Sequence, residues 1–276
     1  FAKLSHLSPI LSLHFSAAEF TSNKVPYASK IIALIFFIIK IFIMSYIRLF
    51  FKENLSLNLN SNLDKSQSHY ISNVMRIKEG GNFSLFNNTG EWQATIEKIK
   101  NGIVNFKIIK KLKNIENDFE IWLAFTPIKL NYLNFMIQKA TELGVTKFIP
   151  ILTERTVVRS LNNKRINKII IESTEQSNRT KIPKLEKLIK FKEFLNKYKE
   201  PNIFFGDLNS SNDKIEIKNK NPICILVGPE GDFSEVERRE ILEKKNIKSL
   251  KINKNILRTE TAAISMISIL SFKFLS

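Results

Sequence analysis

From residue 120 to the C-terminus, short apolar runs alternate with longer segments of helical period, and this restricts the chain to an α/β architecture. EIWLAFT at 120 to 126 reads as a buried strand. LNYLNFMIQKATEL then places Leu133, Met136, Ile137, Ala140 and Leu143 on one helical face, stopped by Gly144. TKFIPIL and KRINKIIIESTEQS repeat the pair, followed by the strands NIFFGD and PICILVG, a helix from Ser234, the strand IKSLKI and a last helix in TETAAISMISIL. Alternation over about 160 residues implies a parallel sheet covered on both faces. In such sheets a ligand lies beyond the carboxyl ends of the strands. Lys187 and Lys190, in LEKLIKFKEFLNKYK, read as part of a polar helix face.

The preceding region has a different texture. Between Met44 and about Asn114 the runs RLFF, NFSLFN, EWQATIEKI and GIVNFKIIKKL are β-rich and are separated by EGGN, NNTG and KNG, which are turn chemistries. Strands at this spacing predict a small barrel or sandwich. SQSHYISNVMRIK places Tyr70, Ile71, Val74, Met75 and Ile77 at the spacing of a short helix, with His69 and Arg76 at its ends and no second His nearby to make a metal pair.

The segment before Met44 fits neither part. IIALIFFIIKIFI at 31 to 43 is apolar except for Lys40. It is shorter than the about 20 residues of a membrane span and lacks the small-residue cleavage site of a signal peptide. We expect residues 1–43 to be an upstream extension outside the fold, with a membrane anchor as the alternative.

Composition narrows the partner. A formal charge of +17 and pI ≈ 9.8 favour a polyanion, most simply nucleic acid, although heavy use of Lys, Asn and Ile throughout supplies part of that charge. The single Cys224 lies within an apolar run, so no disulfide framework or cysteine-ligated metal site is available and a reducing cytoplasm fits best.

Two junctions carry the chemistry. In NPICILVGPEGDFSEVE a strand ends at Gly228, and Ser234 with Glu237 has the spacing of a capping box. Gly228 and Gly231 thus occupy a tight strand-to-helix loop where bare backbone can approach a ligand. The loop reads equally as a plain tight turn, and both nucleotide fingerprints, GxxxxGK[ST] and G-x-G-x-x-G, are missing. In KINKNILRTETAAISMISIL a second strand end leads through Asn253 to Asn255 into Ile256, Leu257, Arg258, Thr259, Glu260 and Thr261. Polar groups crowded between apolar segments cost desolvation unless they are paired or used.

GPEGDFSEVE and ILRTETAA closely resemble the paired signatures of the ribosomal small subunit methyltransferase E family, of the SPOUT class. QKATELGVTKFIPILTERTVV, ESTEQSNRTKIP and HYISNVMRIKEGG also resemble that family, in order from Met44 to the C-terminus. The resemblance implies a PUA-like RNA-binding β-barrel at 44–115 and a SPOUT methyltransferase domain at 118–276, the latter an α/β domain with a deep trefoil knot, assembled as a homodimer. It also implies methylation of N3 of a uridine in small-subunit ribosomal RNA, with S-adenosylmethionine as cofactor and no metal. Carried onto this chain, Val227, Gly228, Pro229, Glu230 and Gly231 form one wall of the cofactor cradle; Ile252, Asn253, Ile256, Leu257 and Arg258 form the other. Two positions depart from the family: Asp232 and Asn253 stand where it usually has Gly. Asn tolerates left-handed backbone and is expected to keep the turn, whereas Asp at positive φ is strained.

The substrate's chemistry names the catalytic candidates. N3 of uridine carries a proton between two carbonyls, so methylation requires loss of that proton and stabilisation of charge on the oxygens. Arginine suits the second task, and Arg155, Arg179 and Arg258 are the candidates. Glu142, Glu230 and Glu260 are the carboxylates that can take the proton. We assign catalysis to Arg258, Glu260 and Arg155, with an internal Arg258–Glu260 pair as the structural alternative. RNA contact is assigned to Arg48, His69, Arg76, Arg155 and Arg179 and to the Lys-rich strand FKIIKK. The competing functions are a SPOUT enzyme acting on another RNA group, such as a ribose 2′ hydroxyl, and a silent RNA-binding protein.

Overall fold

Every position of Ile121–Phe125 is buried, because its alternate side chains enter two different cores. Ile121, Leu123 and Phe125 pack in one core, whereas Trp122 and Ala124 pack in the other. This is the pattern of a strand covered on both faces. The computed structural model describes residues 47–115, 119–211, 215 and 221–275. The expected extension at residues 1–43 lies outside the described residues.

The N-terminal part is a five-stranded sheet. Its strands are β1 (Arg48–Phe50), β2 (Asn60–Asn62), β3 (Asn82–Asn87), β4 (Gly90–Lys100) and β5 (Ile103–Lys113). They run in the order β1-β3-β4-β5-β2, with β1 parallel to β3 and the other pairs antiparallel. Asn101 and Gly102, at φ 53° and 75°, make the tight β4–β5 turn announced by KNG. Phe106 is fully buried and meets Phe51 edge-on at 5.3 Å. Between β2 and β3, α1 (Lys65–His69) is capped by Asp64 and continues as a π-helical turn over Tyr70–Val74. The expected short helix is therefore two different turns, and Val74 is exposed.

The C-terminal part is a seven-stranded parallel sheet. Its elements are β6 (Ile121–Phe125), α2 (Leu130–Glu142), β7 (Lys147–Leu152), α3 (Asn163–Gln176), β8 (Lys184–Leu185), β9 (Ile189–Lys190), α4 (Phe191–Lys197), β10 (Asn202–Gly206), β11 (Ile223–Val227), α5 (Glu235–Leu242), β12 (Ile247–Leu250) and α6 (Thr259–Leu275). The strand order is β12-β10-β11-β6-β7-β8, with β9 also on β7. Helices α2, α3 and α6 cover one face through Met136, Ile137, Ile166, Ile170, Met266 and Ile267. Phe191, Phe194 and Leu195 of α4 and Ile241 of α5 cover the other. The helix expected to carry Lys187 and Lys190 begins only at Phe191; both lysines precede it, in two short strands and their link along the edge of β7.

The end of the chain positions the site. From β11 the chain passes β10 to reach the sheet edge at β12. Helix α6 then returns to pack on β6, β11 and α2. Gly206 at the end of β10 permits this approach, since a Cβ there would lie 3.0 Å from Met266 Sδ. Among the described residues no helix is long and apolar enough to cross a membrane.

Candidate active site

The carboxyl ends of β10, β11 and β12 border one cleft, where a parallel sheet places its ligands. Its walls are Gly206, Asp207 and Leu208 after β10, Val227 to Glu230 with Asp232 after β11, and Leu250, Ile252, Asn253 and Asn255 to Leu257 after β12, with Thr259 and Ala262 of α6 behind them. The cleft is open at its mouth, and the empty space within its walls, about 740 Å³, includes solvent. Ile256 stands on the wall 85% exposed.

The loop after β11 is fixed from two sides. Asp232 closes a turn by donating its N–H to the Pro229 carbonyl at 3.0 Å, and it adopts φ +61°. Its carboxylate accepts the Phe233 N–H at 2.7 Å, which supports the left-handed conformation expected to be strained. Ser234 and Glu237 form the predicted capping box of α5. Glu237 also accepts the N–H of Glu154 at 2.9 Å, and Arg155 donates to the carbonyls of Gly231 at 2.9 Å and Phe233 at 3.5 Å. The TERT segment after β7 thus clamps the GPEGD loop.

Gly228 lines the cleft, and packing beneath the loop gives it a further reason to be bare. A Cβ there would lie 2.7 Å from the ring of Phe233, which is buried beneath the loop against Phe205 and Phe191. The Gly228 carbonyl accepts the Thr259 hydroxyl at 3.1 Å, tying the two loops together. In the second loop Asn253 keeps the turn through its side chain, whose Oδ1 accepts the Asn255 N–H at 2.9 Å. Its φ is not positive, contrary to expectation.

Of the ten expected cradle residues, Val227, Gly228, Pro229, Glu230, Ile252, Asn253, Ile256 and Leu257 line the cleft. Gly231 and Arg258 do not. Gly231 faces Arg155, and Arg258 turns to Tyr132 on α2, donating from Nη1 to the phenol oxygen at 3.2 Å. Glu260 is buried in the first turn of α6 and off the cleft wall, and Arg258 is paired to Tyr132 rather than to it. Glu142 is ion-paired with Lys139 at 2.9 Å.

The assignments of Arg48 and Arg179 to RNA are corrected by their burial, at 5% and 9% exposure. Arg48 donates to the carbonyls of Thr174, Glu175 and Arg179, lies over the Phe86 ring and sits 3.1 Å from Glu91. Arg179 donates to the carbonyls of Thr141, Gly144 and Val145, where its charge also suits the C-terminal end of α2. The same satisfaction of its donors removes Arg179 from the catalytic candidates. His69 and Arg76 are exposed, the latter at φ +56°.

Sequence reasoning missed the contribution of β10. Asp207 lines the cleft while its carboxylate meets Arg238 at 2.6 Å and accepts the Asn209 N–H at 3.0 Å. An acid directly after an apolar strand was the available signal.

Fold and cleft fall in the class of RNA methyltransferase domains: the family model of that description matches residues 115–271, and one described as an RNA methyltransferase PUA domain matches 63–109. The ribosomal RNA small subunit methyltransferase E of Rickettsia conorii is 34% identical over 231 residues, 82% of this chain and 95% of the relative. That of Buchnera aphidicola subsp. Schizaphis graminum is 33% identical over 246 residues, 82% of this chain and 96% of its own length. The Neisseria gonorrhoeae enzyme of the same name, solved bound to S-adenosyl methionine, superposes with a TM-score of 0.73 at 27% identity, covering 82% of this chain and 97% of that one. The chain belongs to the ribosomal RNA small subunit methyltransferase E family.

Proposed function

We propose that this protein methylates N3 of a uridine in small-subunit ribosomal RNA with S-adenosylmethionine, in the cytoplasm and as a homodimer, and that its C-terminal segment is threaded as a deep trefoil knot. The observation that carries the reading is the cleft between the Val227–Glu230 and Ile252–Leu257 loops, in a chain whose Neisseria relative is solved with that cofactor. The return of α6 from the edge strand β12 supports the threading, and Leu130 and Phe135, exposed on α2, support a subunit contact. The proposed domains are 44–115 for RNA contact and 118–276 for transfer.

The cleft fits the cofactor. Val227, Leu250, Ile252, Ile256 and Leu257 offer apolar surface to a purine, and the exposed Ile256 gains a partner there. Bound, S-adenosylmethionine supplies a methyl group on a positively charged sulfur and leaves as the neutral thioether. The uridine N–H bond breaks as the N3–methyl bond forms, and the proton goes to a carboxylate. Of the three carboxylates considered, Glu230 is the one on the cleft wall, so Glu230 takes the proton and Glu260 supports the start of α6. Arg258, between the cleft residues Leu257 and Thr259 in sequence, steadies the negative charge on the uracil oxygens. Arg155 holds the Gly231 carbonyl and through it the loop carrying Glu230. N3 is on the pairing edge, so the base must leave its stack, and His69, Arg76 and the Lys-rich β5 grip the surrounding phosphates.

Nucleoside mass spectrometry of ribosomal RNA from cells with and without the gene tests the reading. Loss of 3-methyluridine is expected. Loss of a ribose methyl instead would move the target to a 2′ hydroxyl, and no change together with no calorimetric binding of S-adenosylmethionine would leave a silent RNA binder.

A further inference from the structure

We propose that Tyr132 is a positioning residue for Arg258, presenting its guanidinium to the substrate before RNA arrives. The assignment rests on the methyl-transfer function proposed above. Tyr132 lies in the first turn of α2, a helix anchored by Leu133, Met136 and Ile137 in the core. It points away from that core, 38% exposed. The Arg258 guanidinium lies over its ring at 5.5 Å from the centroid, and Nη1 donates to its hydroxyl at 3.2 Å, joining residues 126 apart in the chain.

Three features distinguish this contact from ordinary surface packing. Arg258 sits in the irregular stretch between β12 and α6, where a long side chain would otherwise sample many rotamers. Among the described residues it has no ion pair, so its charge is not neutralised by a carboxylate. A phenol and a ring face direct the guanidinium while occupying one of its five N–H donors, leaving the others for the two carbonyls that flank N3. A carboxylate in place of Tyr132 would compete with the uracil oxygens for the same donors. Tyr132 does not line the cofactor cleft, so its contribution belongs to the transfer step and not to cofactor binding.

The test is a double-mutant cycle on the full chain, using Tyr132→Ala, Tyr132→Phe, Arg258→Ala and the Tyr132→Ala/Arg258→Ala pair. Tyr132→Ala is expected to lower kcat about tenfold, and Tyr132→Phe, which keeps the ring, to fall between it and the wild type. In the Arg258→Ala background, Tyr132→Ala should cause no further loss, and calorimetric Kd values for S-adenosylmethionine should stay within about twofold throughout. A second readout needs no turnover: without cofactor, the ring-current shift of the Arg258 guanidinium NMR signals should vanish in Tyr132→Ala and persist in Tyr132→Phe. Wild-type turnover in Tyr132→Ala, an equal loss with and without Arg258, or no ring-current shift overturns the assignment alone. A wild-type protein that methylates no small-subunit ribosomal RNA overturns the functional reading and this assignment with it.

Discussion

Arg48 donates from Nη2 to the backbone carbonyl of Arg179 at 2.9 Å, across 131 residues of sequence. Arg179 in turn gives its Nη1 to Thr141 and Val145 at the end of α2. The two guanidinium groups form a buried relay that ties the first sheet to α3 and α3 to α2, which holds the two sheets of the chain in a fixed relation.

Removing either arginine should therefore damage the fold rather than the RNA contact. Arg48→Ala strips Glu91, 5% exposed, of its 3.1 Å partner and leaves Lys113 at 3.8 Å. The expected loss is about 3–5 kcal/mol, as for an ion left unpaired in the interior. Arg179→Ala, which orphans carbonyls at a helix end, should cost about 2–3 kcal/mol. Urea denaturation measures both. A loss under about 1 kcal/mol in Arg48→Ala, or a change in the salt slope of RNA binding in a still-folded variant, contradicts the structural role.

The two glycines of the GPEGD loop should respond differently to one added methyl. Gly228→Ala forces a Cβ to within 2.7 Å of the buried Phe233 ring, so the loop must shift. About 1–3 kcal/mol of stability and about tenfold in S-adenosylmethionine affinity are expected to be lost. Gly231→Ala meets nothing nearer than Arg155 at 3.9 Å and should behave like the wild type. The reverse order in calorimetry would show that ligand approach, and not Phe233, dictates the bare backbone.

Glu175 gives a pH dependence with a definite sign. Burial raises its carboxyl above the ordinary 4.5, against the opposing effect of the Phe50 N–H bond. The folded chain then binds the proton more tightly than the unfolded chain. The resulting stability is complete below 4.5 and is lost as pH rises through the raised folded value. Glu175→Gln keeps an oxygen for the 2.8 Å bond from Phe50 and has no proton to release. At pH 7 it should match or exceed the wild type, with a less negative slope of unfolding free energy against pH just above 4.5. Identical slopes in the two proteins would rule the effect out.

Cys224 reports on unfolding. Burial pushes its thiol up to about 12, whereas an exposed thiol titrates near ~8.5. Iodoacetamide at pH 8 should leave the native protein unlabelled, and labelling should begin with the unfolding transition. Reaction under native conditions would mean that the central strand β11 opens locally.

How much of this was legible follows from the range of the interactions. Strands and helices from Ile121 onward were readable because each side chain's face is set by local period. The edge strands β8 and β9 were not, since KLEKLIK has helical character and only pairing with Lys147, Phe148, Ile151 and Leu152 draws it into strands. Eight cradle residues were readable from two loop signatures, yet the packing reason for Gly228 required knowing where Phe233 packs. Arg48 and Arg179 look like any surface arginine in a chain of charge +17, because the carbonyls that bury them are far away in sequence. Arg258 was found, while its partner Tyr132 carried no local signal.

A crystal structure of the chain grown with S-adenosylmethionine tests the cofactor cleft most directly. The nucleoside is expected between the Val227–Glu230 and Ile252–Leu257 loops, its purine against Ile256 and its methyl group facing the side of the cleft that carries Glu230. Electron density for the nucleoside at any other place, with that cleft open to solvent, would contradict this placement.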